Sequence, residues 1–156
     1  MRVTAVFLLL LSLCETSLAS NKECVVLLHG LARVSNSMVE LERKLARSGF
    51  LALNITYPSR RDEIEFLAEE AIGRGLSACD EQQVSKVHFV THSLGGILVR
   101  QYLESETLPQ LGRVVMLGPP NQGTALVDRM RRVPGWALLG PAADVLGTGP
   151  DSIFSK

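Results

Sequence analysis

Residues 91–96 carry the sequence THSLGG, between an apolar run at residues 87–90 and a helical pattern at residues 97–104. This order predicts that Ser93 lies on a tight turn between a buried strand and a helix. Such a turn lifts a serine hydroxyl above the edge of a sheet, where a carbonyl carbon can reach it. It also brings the backbone N–H of Leu94 towards the oxygen that becomes negative during attack. A glycine-rich turn before an ordinary helix is the alternative.

Strand and helix patterns alternate along most of the chain. The apolar run at residues 25–28 is typical of a strand covered on both faces, and further strands are predicted at residues 51–56, 86–91 and 113–117. Helices are predicted to start near Ser37 and Asp62, each with a glutamate three residues later as in a capping box, and a third helix is predicted at residues 94–104. The alternation predicts an α/β fold with a parallel sheet and helices on both faces.

The composition is that of a single globular domain, with 156 residues, 46% of them hydrophobic, and with 16 basic and 16 acidic side chains. This balance gives no reason to expect nucleic acid as a partner. Residues 1–20 are predicted to be a secretory signal, with a positive Arg2, an apolar stretch and a small-x-small cleavage site at residues 17–19. An uncleaved anchor is the alternative. Residues 21–156 are then a periplasmic or secreted domain without a membrane span.

Two cysteines, Cys24 and Cys79, remain after removal of the predicted signal. Export implies an oxidising compartment, where disulfides persist. Cys24 precedes the first strand, and Cys79 ends the helix that leads to the strand at residues 86–91. If these two strands are neighbours, both thiols lie near the N-terminal edge of the sheet. A disulfide and two buried free thiols are both compatible with this pattern.

A second short motif, formed by His29, Gly30 and Leu31, lies directly after the first strand. All strands of a parallel sheet end at one edge, so we expect this motif to meet Ser93 there. Gly30 allows a close approach of the backbone. The backbone N–H of Leu31 is then expected to join that of Leu94 as an oxyanion donor.

Three motifs together resemble those of bacterial lipases and esterases of the α/β-hydrolase fold: HGL at residues 29–31, THSLGG at 91–96 and GPPNQG at 118–123. The resemblance implies an oxyanion loop at the first motif and a nucleophile elbow at the second, in which His92 and Gly95 support Ser93. It also implies hydrolysis of carboxylic esters without a metal or an organic cofactor. Thr91 departs from the family, which usually has glycine there, and this implies a tighter elbow.

The family places the acid and the histidine of its triad after the serine in the chain. All three histidines of this chain, His29, His88 and His92, precede Ser93. We expect His29 to orient the oxyanion loop, His88 to be a satisfied buried residue, and His92 to point away from the nucleophile because strand residues alternate. The simplest interpretation is the N-terminal part of a longer hydrolase, because four parallel strands leave residues 114–117 on an uncovered apolar edge.

Glycine and proline are frequent after residue 118. Their spacing predicts one short helix at residues 124–131 and no further strand. The loop-rich region at residues 124–146 nevertheless carries several large apolar side chains, among them Leu126, Trp136 and Leu138. This region can be a lid or acyl-chain wall above the site, or a segment that covers the edge of the sheet.

Three functional hypotheses follow. The first is hydrolysis of a small ester or lipid through an acyl-enzyme on Ser93, with weak or no turnover for this chain alone, because loss of a triad base lowers the rate by orders of magnitude. The second is acyl transfer to an alcohol by the same intermediate. The third is a remnant of a hydrolase that binds an acyl ligand or a partner without turnover.

Overall fold

The structure is a computed structural model that describes residues 22–150 and 152–154. The predicted signal at residues 1–20 lies outside the described residues. Four strands form one sheet in the order β2-β1-β3-β4, and every neighbouring pair is parallel. Their bounds are β1 (Glu23–Leu28), β2 (Leu51–Ile55), β3 (Lys86–His92) and β4 (Leu111–Leu117). The predicted parallel sheet is therefore confirmed.

Helices cover both faces of this sheet, as predicted. Their bounds are α1 (Val39–Arg47), α2 (Ile64–Asp80), α3 (Leu94–Ser105), α4 (Ala125–Met130) and α5 (Pro141–Asp144). On one face, Leu41 and Leu45 of α1 pack against a small core around Val25. On the other face, α2 and α3 bury the main core, in which Val26 and Phe89 are almost completely covered. Burial of β1 on both faces explains its continuous apolar sequence.

The starts of α1 and α2 differ from the prediction, and neither helix has a side-chain cap hydrogen bond. A short 3-10 helix, Ser35–Met38, precedes α1, and within it the Ser37 hydroxyl donates to the carbonyl oxygen of Val34 at 2.9 Å. Glu63 holds the extended N-cap position of α2, so Asp62 lies one residue outside. A capping box needs its first residue in that extended position, so both predicted boxes were wrong.

The region after β4 contains more helix than its glycine and proline content predicts. The expected short helix is present as α4, and Thr124 caps it by accepting a hydrogen bond from the Leu126 N–H at 3.2 Å. A 3-10 helix, Trp136–Leu139, and α5 were not predicted. Proline is well suited to a first helical position, and Pro141 follows a glycine with φ of 81°, so these two residues start α5 rather than break it. The region packs partly on the main core, where Val127, Ala142 and Leu146 are buried.

The last strand, β4, forms an edge of the sheet and is paired only with β3. Its exposure alternates, so that Val115 and Leu117 are 48% and 43% exposed while Val114 and Met116 are half-buried. The prediction of an apolar edge at residues 114–117 is therefore confirmed for the two exposed residues, Val115 and Leu117. Sheet edges of this kind expose unpaired backbone groups as well as apolar surface.

A disulfide joins Cys24 to Cys79, with 5.9 Å between their Cα atoms. Cys24 pairs with Val87 of β3 in the sheet, and Cys79 lies in the last turn of α2. Both cysteines are completely buried at the N-terminal edge of the sheet. The structure thus has the disulfide, one of the two arrangements that the sequence leaves open.

Candidate active site

Ser93 is the single residue between the end of β3 and the start of α3. Its backbone has φ of 51° and ψ of −117°, a left-handed conformation that is strained for any residue except glycine. Its N–H donates to the carbonyl oxygen of Leu117 at the end of β4, at 2.9 Å. The side chain is half-buried. The predicted tight turn between strand and helix is therefore present, and neighbouring structure holds its strained conformation.

Two glycines allow the elbow to approach the loop after β1. A Cβ atom on Gly95 would lie 2.6 Å from the carbonyl oxygen of Leu28 and 3.0 Å from that of His29. A Cβ atom on Gly30 would lie 3.2 Å from the Cβ of Ser93. A side chain at Gly95 would collide with this backbone, and one at Gly30 would crowd the side chain of Ser93, so the two glycines allow the motifs to lie close together.

The two predicted oxyanion donors are both free of protein partners. Within residues 22–150, neither the backbone N–H of Leu31 nor that of Leu94 makes a hydrogen bond to the protein. Leu94 is the first residue of α3, where the N–H groups of a helix have no intrahelical acceptor and the helix dipole favours negative charge. Neither N–H group therefore has a protein acceptor among the described residues.

His29 is completely buried below the loop after β1. Its Nδ1–H donates to the carbonyl oxygen of Gly30 at 2.9 Å, and its ring stacks on that of Tyr57 with 4.2 Å between centroids. Burial lowers the pKa of His29, against the opposing effect of the Gly30 carbonyl, so the ring is held neutral. The Tyr57 hydroxyl donates to the carbonyl oxygen of His29. Burial raises the pKa of Tyr57 above its ordinary range, which keeps this hydroxyl a donor.

The loop after β2 supports the loop after β1, and the sequence patterns do not predict this support. Besides Tyr57, Ser59 is buried, and its hydroxyl oxygen accepts a hydrogen bond from the backbone N–H of Ala32 at 3.1 Å. Ala32 has φ of 52°, a conformation that needs such an external partner. In the sequence, Ser59 is only a short polar residue shortly after a predicted strand. Its contact with Ala32 can be expected only when β2 is known to lie beside β1.

No histidine is placed to accept a proton from Ser93. His88 is satisfied as predicted, because its Nδ1 accepts from the Arg113 N–H at 2.8 Å and its Nε2 lies 3.1 Å from the Glu23 carboxylate. His92 is exposed, and its ring lies beside Gly30, where an added Cβ atom would be 2.8 Å from the His92 Nδ1. All three histidines lie in the described part of the chain, and none forms a hydrogen bond with the Ser93 hydroxyl.

Thr91, the residue that departs from the family motif, is completely buried two positions before the serine. Its hydroxyl oxygen has no hydrogen-bond partner. Leaving such a group unsatisfied costs about 1–3 kcal/mol. The elbow therefore accommodates a threonine at the expense of an unpaired polar atom.

The described residues offer neither a cluster of metal ligands nor a helix that could span a membrane. Those residues contain no group of three or more His, Cys, Asp or Glu side chains arranged to hold a metal ion. None of the helices described there is both long and apolar enough to cross a bilayer. The absence of a cofactor stays an expectation from the resemblance.

Comparison with known proteins gives structural matches only. No protein-family model matches the sequence, and no curated protein does so. A Bacillus licheniformis lipase in its mature form has a TM-score of 0.60 and 22% identity, over 85% of this chain and 57% of the lipase. The propeptide form of that lipase gives a TM-score of 0.65 at 22% identity, over 85% of this chain and 31% of its own. An esterase from Exiguobacterium antarcticum gives 0.56 at 15% identity, over 72% and 50%.

These identities are too low to carry activity from one protein to another, so the likeness shows the fold alone. The chain spans between 31% and 57% of the length of these three structures. The resemblance to bacterial lipases and esterases is confirmed at that level. With its parallel sheet, its helices on both faces and its serine between β3 and α3, the chain has the α/β-hydrolase fold.

Proposed function

We propose that this chain carries the nucleophile and the oxyanion donors of a serine-dependent carboxylic ester hydrolase. The backbone of Ser93 is the observation that supports this most strongly, because strain at a turn of this kind persists only where surrounding structure maintains it. The free N–H groups of Leu31 and Leu94 give the same proposal a second support. The substrate is a small ester or a lipid.

In the proposed reaction, the Ser93 oxygen attacks the ester carbonyl carbon while its proton passes to solvent water, and the carbonyl oxygen takes on negative charge. The N–H groups of Leu31 and Leu94 donate to that oxygen, and each such donor contributes roughly 10²–10³ in rate. Collapse of the tetrahedral intermediate breaks the bond to the alcohol, which leaves with a proton, and an acyl group stays on Ser93. Water then hydrolyses the acyl-enzyme to release the acid and restore the hydroxyl.

Turnover by these residues alone is expected to be slow. The Ser93 proton must leave during attack, and none of the three histidines forms a hydrogen bond with its hydroxyl. Triad enzymes that have lost their base keep roughly 10³–10⁴ over the uncatalysed reaction from the oxyanion site and binding alone. The expected behaviour is therefore slow hydrolysis, of which the part that proceeds through the acyl-enzyme is lost with Ser93.

A non-catalytic binding protein is the second candidate, and the lack of a base beside Ser93 favours it. One assay separates the two: hydrolysis of p-nitrophenyl butyrate by the purified chain, by Ser93→Ala and by the exposed-site control Ser105→Ala. The hydrolase proposal expects a slow rate in the chain and in Ser105→Ala, and a clearly lower rate in Ser93→Ala. Equal rates in all three support binding without turnover, and a rapid Ser93-dependent rate refutes the lack of a base.

We also propose export to the periplasm or the outside of the cell. The disulfide between Cys24 and Cys79 supports this, because structural disulfides form and persist in oxidising compartments. Secretion of the chain fused ahead of a periplasmic reporter, and its loss when residues 1–20 are removed, is the expected result. Equal export with and without these residues would contradict it.

A further inference from the structure

An open cleft of about 690 Å³ lies beside the oxyanion loop, between the loops that follow β1 and β2. Arg33 contributes from the first loop, and Arg60 and Arg61 contribute from the second. Tyr57, which stacks on His29, forms part of its floor. The cleft therefore shares a wall with the candidate active site but does not include Ser93.

The charge of this cleft is strongly positive although the whole chain is neutral. Four arginines and one glutamate are among its lining residues. Arg74 is already engaged, since its Nε lies 3.3 Å from the Glu70 carboxylate and its guanidinium donates to the carbonyl oxygen of Thr56. The other three arginines have no such partner in the described part of the chain.

Arg33, Arg60 and Arg61 line one cleft without an ion pair, because its one carboxylate, on Glu70, pairs with Arg74. Asp62 and Glu63 follow directly in the sequence, yet neither forms an ion pair with them. Like charges repel, so folding brings these groups together at some expense in stability. A planar guanidinium binds carboxylate and phosphate oxygens in pairs, which makes such a cluster suited to an anion.

The distance between the cleft and Ser93 suits the two ends of one small molecule. The loops after β2, β1 and β3 are consecutive along one edge of the sheet, and adjacent strands lie about 5 Å apart, which puts roughly 10 Å between the outer two. The Arg33 N–H donates to the carbonyl oxygen of Gly30 at 3.2 Å, so Arg33 is one turn from the oxyanion loop. Leu138 and Val34, which are 75% and 56% exposed, give the cleft an apolar wall.

We propose that this cleft, which we call the arginine cleft, binds a carboxylate or phosphate group at the end of an ester substrate whose carbonyl lies at Ser93. The description of the ligand as a substrate rests on the proposed function, whereas the binding of the anion does not. The guanidinium groups of Arg33, Arg60 and Arg61 hold the anion, and the apolar wall contacts the chain that joins it to the ester.

Binding is tested in the Ser93→Ala background, so that no hydrolysis is needed. The probes are monomethyl suberate, the methyl ester of 6-(phosphonooxy)hexanoic acid, and neutral dimethyl suberate, titrated by calorimetry or by NMR. We expect one of the anionic probes to bind at least about tenfold more tightly than the neutral diester, and the tighter of the two identifies the anion. Equal binding of all three probes would overturn the proposal.

Matched variants locate the site. Arg60→Gln and Arg61→Gln are each expected to weaken the preferred anionic probe by about tenfold and to leave the neutral diester unchanged. Arg43→Gln removes the same charge from α1, outside the cleft, and is expected to have no effect. A loss of affinity in Arg43→Gln as large as in the cleft variants would show a general effect of charge and contradict the proposal. Added salt should weaken the anionic probes only.

Hydrolysis of the same esters separates this inference from the proposed function. If anion binding depends on Arg60 and Arg61 but no Ser93-dependent hydrolysis is found, the proposed anion site is supported and the proposed hydrolase activity is refuted. If Ser93-dependent hydrolysis is equally fast for monoester and diester, and the cleft variants do not change it, the proposed hydrolase activity is supported and the proposed anion site is refuted.

Discussion

Ser93 has a backbone conformation that glycine would adopt without strain. A residue at such a φ costs about 1–3 kcal/mol, and here β4 and α3 maintain it through the N–H of Ser93 and the close approach of Gly95. The turn itself does not need a strained residue, since glycine would make the same turn. Its consequence is that a half-buried hydroxyl side chain occupies the turn between β3 and α3.

Replacement of Ser93 by glycine should therefore stabilise the protein. We expect Ser93→Gly to raise the free energy of unfolding by about 1 kcal/mol, because the strain disappears. Ser93→Ala keeps a Cβ atom and the strained φ, so its stability should match that of the parent chain. Denaturant unfolding measures both. A Ser93→Gly protein no more stable than Ser93→Ala would contradict the assignment of strain to this residue.

His29 should make stability depend on pH. Burial lowers its pKa below the ordinary value of 6.5, so the unfolded chain takes up a proton that the folded chain does not. The stability that neutral His29 contributes is thus present above pH 6.5 and is lost on acidification, by at most about 1.4 kcal/mol per pH unit. The stability gap between the parent chain and His29→Gln should narrow from pH 7.5 to pH 5. A constant or widening gap would be inconsistent with this.

At the scale of elements, local patterns predicted the strands and helices, and contacts between elements explain what they missed. The apolar run of β1 and the stripe of α2 are visible in the sequence because each depends on neighbouring residues only. The starts of α1 and α2 were wrong because the preceding turn decides which residue becomes the N-cap. Ser93, Leu31 and Leu94 could be proposed because their motifs are contiguous.

The supporting residues Tyr57 and Ser59 could not be found in the same way. Their partners, His29 and Ala32, lie 28 and 27 residues earlier in the chain. They meet only because β2 lies beside β1, and local sequence patterns do not reveal that order of strands. The arginine cleft depends on the same neighbourhood, so Arg33 could not be connected with Arg60 and Arg61 from the sequence.

Close packing of α3 against β1 should make its first-turn glycine irreplaceable. Gly95→Ala is expected to lower the free energy of unfolding by about 2–3 kcal/mol, because the new Cβ meets backbone atoms of Leu28 and His29. Gly73, in α2, is the matched control, since a Cβ there has no atom within 4 Å. Gly73→Ala should stabilise the protein by about 0.5–1 kcal/mol. Similar effects at the two positions would contradict this account of the packing.

At the scale of the whole molecule, the disulfide ties the N-terminal edge of the sheet to the last turn of α2. Cys24 and Cys79 are 55 residues apart, and the loop they close contains β1, α1, β2 and most of α2. These elements hold the oxyanion loop and one side of the arginine cleft. The outer strand β4 has no such covalent link. It pairs with β3 only, and it exposes Val115 and Leu117.

Loss of the disulfide should destabilise the fold by about 4 kcal/mol, from the loop entropy of the unfolded chain. The double variant Cys24→Ser with Cys79→Ser, compared with the oxidised parent by denaturant unfolding, measures this. Alkylation of both cysteines without prior reduction would show that the bond does not form.

The central claim is that the fold makes Ser93 chemically different from the other serines of the chain. The most direct measurement is reaction of the folded chain with a fluorophosphonate, followed by intact-mass and peptide mapping. We expect a single adduct, on Ser93, that forms slowly because no histidine hydrogen-bonds to its hydroxyl, and that is absent in Ser93→Ala and in the urea-unfolded chain. Adducts on other serines, or equal labelling of folded and unfolded protein, would contradict it.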